Sequence, residues 1–500
     1  MSDKNSSLLT RRDFIRRSAC AAVGTVAMSS AIRDLRLMNA AVAQTGITDY
    51  KALVCIFLQG GNDSNNMIIP TIQSQYDNYA SIRTPVLAIP QSSILGVTAQ
   101  TSDGNTYGLH PSCPELQTLF GEGKLAFMFN TGTLVYPLTR AQYLSGATAT
   151  PPQLFSHADQ QTQWQTSIPD QPPTTGWGGR CGDLLNSIQP NTPISLMVTL
   201  AGANTFEVGN IVSQYSVSTS GAISLSLPGT PSGGASSNRV PTLLNILGLP
   251  YTNLQSQAYA GAAGQAINSS ALLNNAITNT ASATYWTTPF PAKITPPESG
   301  AAAFTSTLSP QLEMVARLIL AGSTSVANHG FGMKRQIFFV QVGGYDLHTG
   351  QTNYTASNPN GVLLGAHTNL LAELSQSMLA FQRAMEQLGL SQQVTSFTMS
   401  DFSRTFPSNG QGSDHGWGSH HFILGGSVVG QNTYGAFPVQ TVNGPNDTGT
   451  GRWIPTTATD QYFATLATWF GVDPDNLTTI FPNVGRFATS NLGFMQPPSS

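Results

Sequence analysis

The chain has 500 residues, of which 40% are hydrophobic, and it carries 21 Lys and Arg against 24 Asp and Glu. The hydrophobic content is sufficient for a large core, but only 9% of the residues are charged, against roughly 25% in a typical soluble domain. The few basic residues form no cluster, which argues against nucleic acid as a partner, because binding a phosphate backbone requires clustered cations.

The N-terminal segment has the features of an export signal. Arg11 and Arg12 are followed by a mildly apolar stretch at residues 19–32 and by a small-residue motif that ends at Ala43. This pattern predicts a twin-arginine signal peptide over residues 1–43, and therefore a periplasmic or secreted protein. The signal holds seven basic and three acidic residues, which leaves 14 and 21 in the rest, a net charge of −7. No later stretch reaches the roughly 20 apolar residues of a transmembrane helix, so no membrane span is expected after signal removal.

Six short apolar runs rich in β-formers predict strands. Their apolarity is continuous rather than alternating, which is typical of strands buried on both faces of a parallel sheet. Helical patterns lie between them, and the clearest one ends near Gly389 after an apolar stripe at every third or fourth position. These features predict an α/β architecture. The predicted strands are residues 52–58, 125–129, 194–200, 337–342, 394–399 and 422–429.

The middle of the chain differs in composition. Residues 211–300 are rich in Ser, Gly, Ala and Asn and contain only three charged residues. We interpret residues 205–305 as an insertion within a domain that spans residues 44–500, with helices near residues 243–249 and 271–277. The insertion is either a lid over the sheet or a loose surface excursion.

Three cysteines follow the predicted signal peptide. Cys55 lies inside an apolar run and is expected in the core. Cys113 and Cys181 either form a disulfide or remain free, because their spacing does not decide between the two states.

Polar motifs lie next to the predicted strands, where the loops of an open α/β sheet bind ligands. Asp63 follows the first strand, Asp346 and His348 follow the fourth, and Asp401 follows the fifth. Before the last strand, residues 414–421 combine an acid with three of the chain's eight histidines. One such acid alone is typical of a turn or a helix cap, and a pair of histidines can simply enter a strand. Because several segments supply these residues, we favour a shared cation.

The mixture of carboxylates and imidazoles predicts a metal centre. That many ligands exceed one tetrahedral site, so one or two divalent ions are expected, and two ions would lie about 4 Å apart. Imidazole and carboxylate ligands favour Zn, Mn or Fe over Ca. The predicted ligands are Asp63, Asp346, His348, Asp414, His415 and one or both of His420 and His421.

Further motifs occur at residues 60–66, 109–111, 137–143, 156–157, 343–348, 400–405, 414–421, 451–452 and 469–471. Together they resemble a bacterial exported family called domain of unknown function 1501, which belongs to the alkaline phosphatase and sulfatase superfamily. The resemblance covers nearly all of the chain after the signal and is weakest in the insertion. It implies an alkaline phosphatase-like three-layer sandwich with a mostly parallel central sheet and an inserted Ser/Gly-rich segment.

The resemblance also implies two sets of metal ligands. The first metal would be bound by Asp63, Asp414 and His415. The second would be bound by Asp346, His348 and His420 or His421. Asp346 and His348 are two positions apart, whereas many phosphatases of the superfamily space this pair by four. Asp401, which directly follows a strand, is therefore a competing ligand.

Two hydroxyl residues are candidates for the nucleophile. Ser156 begins a predicted helix, whose free amides would favour an ionised hydroxyl and an anionic substrate, although it could equally be a simple cap. Thr139, beside Arg140, is the second candidate. Arg404 or Arg140 would hold a phosphate or sulfate oxygen, or would form a structural ion pair. His157 is expected to support the site.

These features lead to two hypotheses. The first is a periplasmic, metal-dependent hydrolase of phosphate or sulfate esters, with a small molecule or a glycan as the substrate. The second is a non-catalytic exported protein with the same fold, which uses a metal for structure or for binding an anionic glycan or a partner. Metal analysis and ester assays distinguish them.

Overall fold

The computed structural model describes residues 47–101, 103–190, 194–222, 239–250, 252–280, 287, 289–328 and 330–497. The signal peptide predicted over residues 1–43 lies outside these ranges. Among the described helices, none is long and apolar enough to cross a membrane.

Fifteen strands and twelve α-helices make up the described part of the chain. The strands are β1 (Lys51–Leu58), β2 (Ile68–Pro70), β3 (Leu95–Val97), β4 (Tyr107–Leu109), β5 (Leu125–Gly132), β6 (Met197–Thr199), β7 (Tyr215–Ser218), β8 (Gly221–Ala222), β9 (Lys293–Ile294), β10 (Phe304–Thr305), β11 (Arg335–Val342), β12 (Val394–Ser400), β13 (Ser419–Gly425), β14 (Thr433–Tyr434) and β15 (Thr457–Ala458). The helices are α1 (Ser64–Met67), α2 (Gln73–Leu87), α3 (Pro114–Gly121), α4 (Arg140–Ser145), α5 (His157–Thr166), α6 (Trp177–Leu185), α7 (Arg239–Leu247), α8 (Leu254–Thr280), α9 (Ser309–Ser323), α10 (Ala366–Gln387), α11 (Thr459–Phe470) and α12 (Leu477–Ile480).

Ten strands form the central sheet, in the order β14-β5-β13-β12-β1-β11-β6-β7-β8, with β15 also paired to β5. β1 pairs in parallel with β11 and β12, and β11 pairs in parallel with β6. β13 runs antiparallel to both of its neighbours, β12 and β5. The sheet is therefore mixed but mostly parallel, and the predicted α/β fold class is confirmed.

The side chains of β1 show why the molecule has three layers. Val54 and Ile56 point into one core, which they share with α9 and α10. Cys55 and Phe57 point into the other core, which they share with α6 and α11. Since successive side chains of a strand face opposite sides of a sheet, a continuous apolar run buries both faces and requires helices on each.

The last predicted strand is displaced along the chain. The sequence predicts it over residues 422–429, but β13 begins at Ser419 and ends at Gly425, and all seven of its residues are buried. The strand therefore includes His420 and His421, which alters the interpretation of both histidines below.

Of the two helical stretches predicted in the insertion, residues 243–249 overlap α7, which ends at Leu247, and residues 271–277 lie within α8. Leu273 and Ile277 of α8 are buried in the same core as Leu312 of α9. This packing attaches the helix to the central layers.

The three described cysteines are buried free thiols. Cys113 lies in the core with α9 and α10, and Cys181 lies in the core with α6 and α11. The sheet separates these two cores, so the disulfide left open by the sequence does not form.

Candidate metal centre

The carboxyl ends of three parallel strands meet at one edge of the sheet. Leu58 of β1 is in register with Val342 of β11 and with Ser400 of β12. The loops that follow β11 and β12 carry Asp346 and Asp401. The topology therefore brings together acids that are more than 50 residues apart in the chain.

Gly60 allows the loop after β1 to approach both of these loops. Its φ of +114° lies in the region that favours glycine, and a Cβ at this position would lie 2.4 Å from the backbone nitrogen of Asp346. The N–H of Gly60 donates a hydrogen bond of 3.1 Å to Oδ1 of Asp401. Any larger residue at position 60 would displace Asp346.

Four side chains converge at this edge: His157, the first residue of α5, and Asp346, His348 and His415 from the loops. The Nε2 atoms of His348 and His415 are 2.9 Å apart. Oδ1 of Asp346 lies 3.2 Å from Nε2 of His348 and 3.4 Å from Nε2 of His415. Its Oδ2 lies 3.5 Å from Nε2 of His157. We call these four residues the His/Asp cluster.

Each imidazole of the cluster is oriented by a hydrogen bond from its Nδ1 atom to an oxygen. Because those oxygens accept the bonds, Nδ1 carries the proton in each ring, and Nε2 is left to face the cluster. The bonds join His157 to Oδ2 of Asp401 at 2.6 Å, His348 to Oδ1 of Asp414 at 2.9 Å, and His415 to the carbonyl oxygen of Phe155 at 2.7 Å.

The donor set fits a metal ion. Nε2 of His157 is buried without a hydrogen-bond partner, and the lone pairs of His348 and His415 would repel each other at 2.9 Å unless a cation or a shared proton lies between them. Ligands of a tetrahedral zinc ion lie about 2.0–2.1 Å from the metal, which separates them from one another by about 3.4 Å. Several donor separations are close to that value, and the ligand atoms of His157, Asp346 and His415 all lie within 4.8 Å of one another, with His348 beside His415. Imidazole and carboxylate donors suit Zn, Mn or Fe.

Burial and nearby charge favour the metal-binding protonation states of His415 and Asp346, whereas the pKa of His157 is shifted toward its protonated ring. Burial lowers the pKa of His415 and so favours its neutral ring. Burial would raise the pKa of Asp346, but the hydrogen bond and the charge of Arg404 outweigh burial and lower that pKa. The hydrogen bond to Asp401 raises the pKa of His157.

Asp401 and Asp414, which the sequence predicts as ligands, lie behind the cluster and orient its imidazoles. Asp401 is fully buried and also accepts a hydrogen bond of 2.9 Å from Nε2 of Gln161. Asp414 also accepts a hydrogen bond of 3.0 Å from Nδ2 of Asn409. Such outer partners fix both the tautomer and the direction of a metal-binding histidine.

Arg404, predicted to hold a substrate anion, binds Asp346 instead. Its side chain is fully buried, and Nη1 donates to Oδ1 of Asp346 at 2.8 Å and to the carbonyl oxygen of Gly60 at 3.3 Å. Nε donates to the carbonyl oxygen of Ser413 at 3.1 Å. The guanidinium thus joins the loops that carry the cluster, in the structural ion pair that the sequence left open as the alternative to anion binding.

Asp63 occupies a different environment from the predicted one. It is 1% exposed, and its Oδ2 accepts hydrogen bonds from Arg83 and Gln351. A buried arginine from α2 therefore neutralises this carboxylate, where the sequence predicts a metal. The structure does not bring Asp63 into the His/Asp cluster.

His420 and His421 are also outside the cluster. As neighbours on β13 they point to opposite faces of the sheet. His420 stacks on Phe437, with ring centroids 4.9 Å apart, and His421 lies 4.7 Å from the ring of Trp164. Burial lowers the pKa of each imidazole to about 3. The structure thus places both residues in the packing of the sheet, away from the His/Asp cluster. Each has a buried Nε2 without a hydrogen-bond partner, and their role as ligands stays a prediction.

The two nucleophile candidates occupy different places. Ser156 directly precedes His157, and its hydroxyl donates a hydrogen bond of 2.6 Å to Oδ2 of Asp159. Thr139 caps α4 through a capping box with Gln142, and its side chain is exposed. Of the two, only Ser156 adjoins a member of the cluster in the chain.

The sequence predicts only a supporting role for His157, whereas the structure places it among the members of the cluster. It lies 258 positions before His415 in the chain, at the start of α5. Its motif, Ser156 followed by His157, is visible in the sequence, but nothing local shows that this helix begins at the carboxyl end of β12. Only the contact with Asp401 places the imidazole beside the other ligands.

Replacing Asp401 with asparagine is expected to weaken metal binding by about 10- to 100-fold, the usual effect of losing an outer partner of a ligand. The amide keeps the size of the side chain but loses the charge that orients His157. Calorimetric titration of the metal-free protein with Zn²⁺ measures the change. Thr162→Val is the matched control, because that hydroxyl of α5 bonds only within its own helix. Unchanged affinity in Asp401→Asn would show that His157 is not a ligand.

The chain was compared with protein-family models, with curated proteins and with solved structures. Residues 321–483 match the model of a family described as "Protein of unknown function (DUF1501)". This segment contains Asp346, His348 and His415 but not His157. No curated protein matches the sequence.

Solved structures that are similar include "Crystal structure of Ps i-CgsB in complex with k-i-k-neocarrahexaose", at 9% identity and a TM-score of 0.31, over 86% of this chain and 74% of that one. Another is the PsFucS1 sulfatase from Pseudoalteromonas sp., at 10% identity and a TM-score of 0.30, over 93% and 74%. TM-scores of this size support no functional argument. The chain is thus similar, over residues 321–483, to a family whose own function is unknown.

Proposed function

We propose that the chain is an exported, metal-dependent hydrolase of phosphate or sulfate esters. The observation that carries the proposal is the convergence of three Nε2 atoms on Asp346, each ring being held by a hydrogen bond from its other nitrogen. Export is proposed from the twin-arginine pattern of residues 1–43. Membership of the whole chain in the DUF1501 family is proposed from the motifs that lie outside residues 321–483. The substrate class is proposed from the resemblance to the alkaline phosphatase and sulfatase superfamily.

The His/Asp cluster would hold one divalent ion through His157, Asp346 and His415, whose ligand atoms lie within 4.8 Å of one another, with His348 beside them. When bound, that ion would supply Lewis-acid polarisation of the ester and stabilise the charge on the leaving oxygen. Asp401 and Asp414 keep the Nδ1 protons in place, so that the lone pairs stay directed at the ion. The side chain of Asp346 is 47% exposed, so a substrate can approach the site from solvent.

Ser156 is the hydroxyl best placed to act as a nucleophile. Asp159 accepts its hydrogen bond at 2.6 Å, so the carboxylate is within reach of the proton that the hydroxyl must lose. The side chain of Ser156 is partly exposed, and it begins α5, whose first N–H groups favour an anion. In this proposal Oγ of Ser156 attacks the phosphorus or sulfur atom, Asp159 takes the hydroxyl proton, and the alcohol leaves as its ester bond breaks. Water then hydrolyses the seryl ester, which releases phosphate or sulfate and restores Ser156.

The second hypothesis, a non-catalytic metal-binding protein, is favoured by one observation. Neither candidate hydroxyl hydrogen-bonds a cluster ligand, because Ser156 bonds Asp159 and Thr139 bonds Gln142. A protein that only binds an anionic glycan or a partner would need no nucleophile at all.

Hydrolysis assays separate the two hypotheses. The zinc-, manganese- or iron-loaded protein is tested against aryl phosphates, aryl phosphodiesters and aryl sulfates, alongside the metal-free protein. We expect turnover of at least one ester class, lost on metal removal, and a much larger loss in Ser156→Ala than in Thr139→Val. If the loaded protein binds metal but turns over none of these esters, the non-catalytic hypothesis replaces ours.

A further inference from the structure

Arg452 lies beside the metal centre, against the backbone of His415. Its Nε atom donates a hydrogen bond of 2.8 Å to the carbonyl oxygen of His415. Its guanidinium lies over the ring of Phe155, with Cζ 4.2 Å from the ring centroid, which is a favourable cation–π contact. The carbonyl oxygen of Phe155 accepts the hydrogen bond from Nδ1 of His415. This carbonyl therefore lies behind the Nε2 atom that faces the cluster, because the two nitrogens of an imidazole point in nearly opposite directions.

The backbone of Arg452 is fixed before any ligand binds. Asp447 is fully buried, and both of its oxygens accept backbone N–H groups. Oδ1 accepts from Gly451 at 2.7 Å and from Arg452 at 3.0 Å, and Oδ2 accepts from Asn443 at 2.7 Å. Gly451 has a φ of +74°, and a Cβ at this position would lie 2.2 Å from Cδ of Pro407. This turn thus requires glycine, and an arginine held on it loses little freedom when it binds a ligand.

The two Nη groups of Arg452 are free to bind an anion. Among the described residues they have no hydrogen-bond partner and form no ion pair, and neither nitrogen is buried. The buried arginines of the neighbouring loops differ, since Arg83 pairs with Asp63 and Arg404 pairs with Asp346. A guanidinium offers two parallel N–H donors, which match two oxygens of a carboxylate, sulfate or phosphate. Arg452 is therefore a preformed receptor for such a group.

We infer that the molecule bound at the metal centre carries a second anionic group, which Arg452 holds. This inference rests on the proposed function, because it takes the His/Asp cluster as the site of the ester that is hydrolysed. Arg452 forms no ion pair with Asp346, the carboxylate of the cluster, whereas Arg404 does. The free Nη groups therefore stand apart from the ligand atoms. Ser156, the proposed nucleophile, lies in the chain between Phe155 and His157. The substrate class is thus a polyanionic ester, with a further carboxylate, sulfate or phosphate beside the group that reacts.

Calorimetric titration of the zinc-loaded protein with analogues that cannot be hydrolysed tests the inference. Phenylphosphonate and benzenesulfonate are compared with their 3-carboxy and 4-carboxy derivatives, which add a second anionic group. We expect at least one carboxylated analogue to bind at least about tenfold more tightly than its plain parent, the usual gain from a charged hydrogen bond. In Arg452→Met the ratio of the two dissociation constants should fall to about twofold or less. Arg452→Lys keeps the charge but loses the paired donors, so it should retain only part of the preference.

Arg486→Met is the matched control, because Arg486 also lies over an aromatic ring, that of Tyr136, but pairs with Asp170. This variant should keep the preference. Ester turnover is measured separately. A protein that shows the preference but hydrolyses no ester would lose the proposed function and keep the second anionic group. A protein that hydrolyses esters without the preference would lose only this inference.

Three results would overturn the inference. In the first, no analogue binds, or no carboxylated analogue binds more tightly than its plain parent. In the second, the preference survives in Arg452→Met, or, if that variant does not fold, it is undiminished in Arg452→Lys. In the third, Arg452→Met weakens the binding of plain and carboxylated analogues by the same factor, which would assign the arginine to the group at the metal.

Discussion

Replacing His415 with alanine is expected to remove metal binding and to lower the hydrolysis of a responsive ester by at least about 100-fold, because a catalytic metal contributes several kcal/mol to stabilising the transition state. His415 contributes the Nε2 atom closest to that of His348, at 2.9 Å, and approaches Asp346 at 3.4 Å. Without it, the group of His157, Asp346 and His415, whose ligand atoms lie within 4.8 Å of one another, loses one of its three members. Metal content by elemental analysis and turnover by initial rates measure the two effects.

His421→Phe is the matched control for this substitution. His421 is six residues further along the chain, where its ring packs against Trp164 and Tyr462 in the core. A phenyl ring of similar shape should keep both metal and activity at parental levels. If His421→Phe lost the metal while His415→Ala kept it, the ligands would be those of the strand, as the sequence predicted, and the His/Asp cluster would be refuted.

Replacing Arg83 with methionine is expected to cause the largest loss of stability, on the order of 3–5 kcal/mol, because it leaves a buried carboxylate without its partner. Arg83 and Asp63 are 0% and 1% exposed, and their side chains form an ion pair. Nη1 of Arg83 also donates to the carbonyl oxygens of Thr405 and Phe406, at 3.1 and 3.0 Å. The substitution therefore also frees the loop that carries Arg404. Chemical denaturation measures the free energy of unfolding.

Arg317→Met is the control for this loss, because Arg317 pairs with Glu313 on the surface of α9, with side chains 25% and 33% exposed. Exposed pairs of this kind contribute about 0–1 kcal/mol. The double variant Arg83→Met/Asp63→Asn should recover part of the lost stability, since no unpaired charge remains. A loss in Arg83→Met no larger than that in Arg317→Met would contradict the account of Asp63 as a structural carboxylate.

The sequence predicted the sheet more reliably than it predicted the ligands. Three continuous apolar runs predict strands that are buried on both faces of a parallel sheet: residues 52–58, 337–342 and 394–399. The observed strands β1, β11 and β12 match these runs closely. Placing Asp346 at the carboxyl end of β11 follows from that pattern alone. The sequence therefore predicted that the polar groups of the site lie in the loops at the carboxyl ends of these strands.

Two differences between the predicted and the observed positions of site residues have a common cause, which is that the direction of a side chain depends on structure beyond its own segment. A start of β13 three residues earlier than predicted moved His420 and His421 from a loop into the sheet. The sequence predicts Asp63 as a metal ligand. In the structure, Arg83, which is 20 positions away in the chain, donates a hydrogen bond to its carboxylate. His157 shows the reverse, since only the contact between α5 and Asp401 makes it a ligand candidate.

The central claim is that the His/Asp cluster holds one transition-metal ion through His157, Asp346 and His415. Elemental analysis of the purified protein, produced with Zn²⁺, Mn²⁺ and Fe²⁺ in the medium and freed of loosely bound ions, tests it most directly. We predict about one ion of these metals per chain, reduced to background in Asp346→Asn. A parent protein with no bound transition metal, or one with the same content as Asp346→Asn, would contradict it.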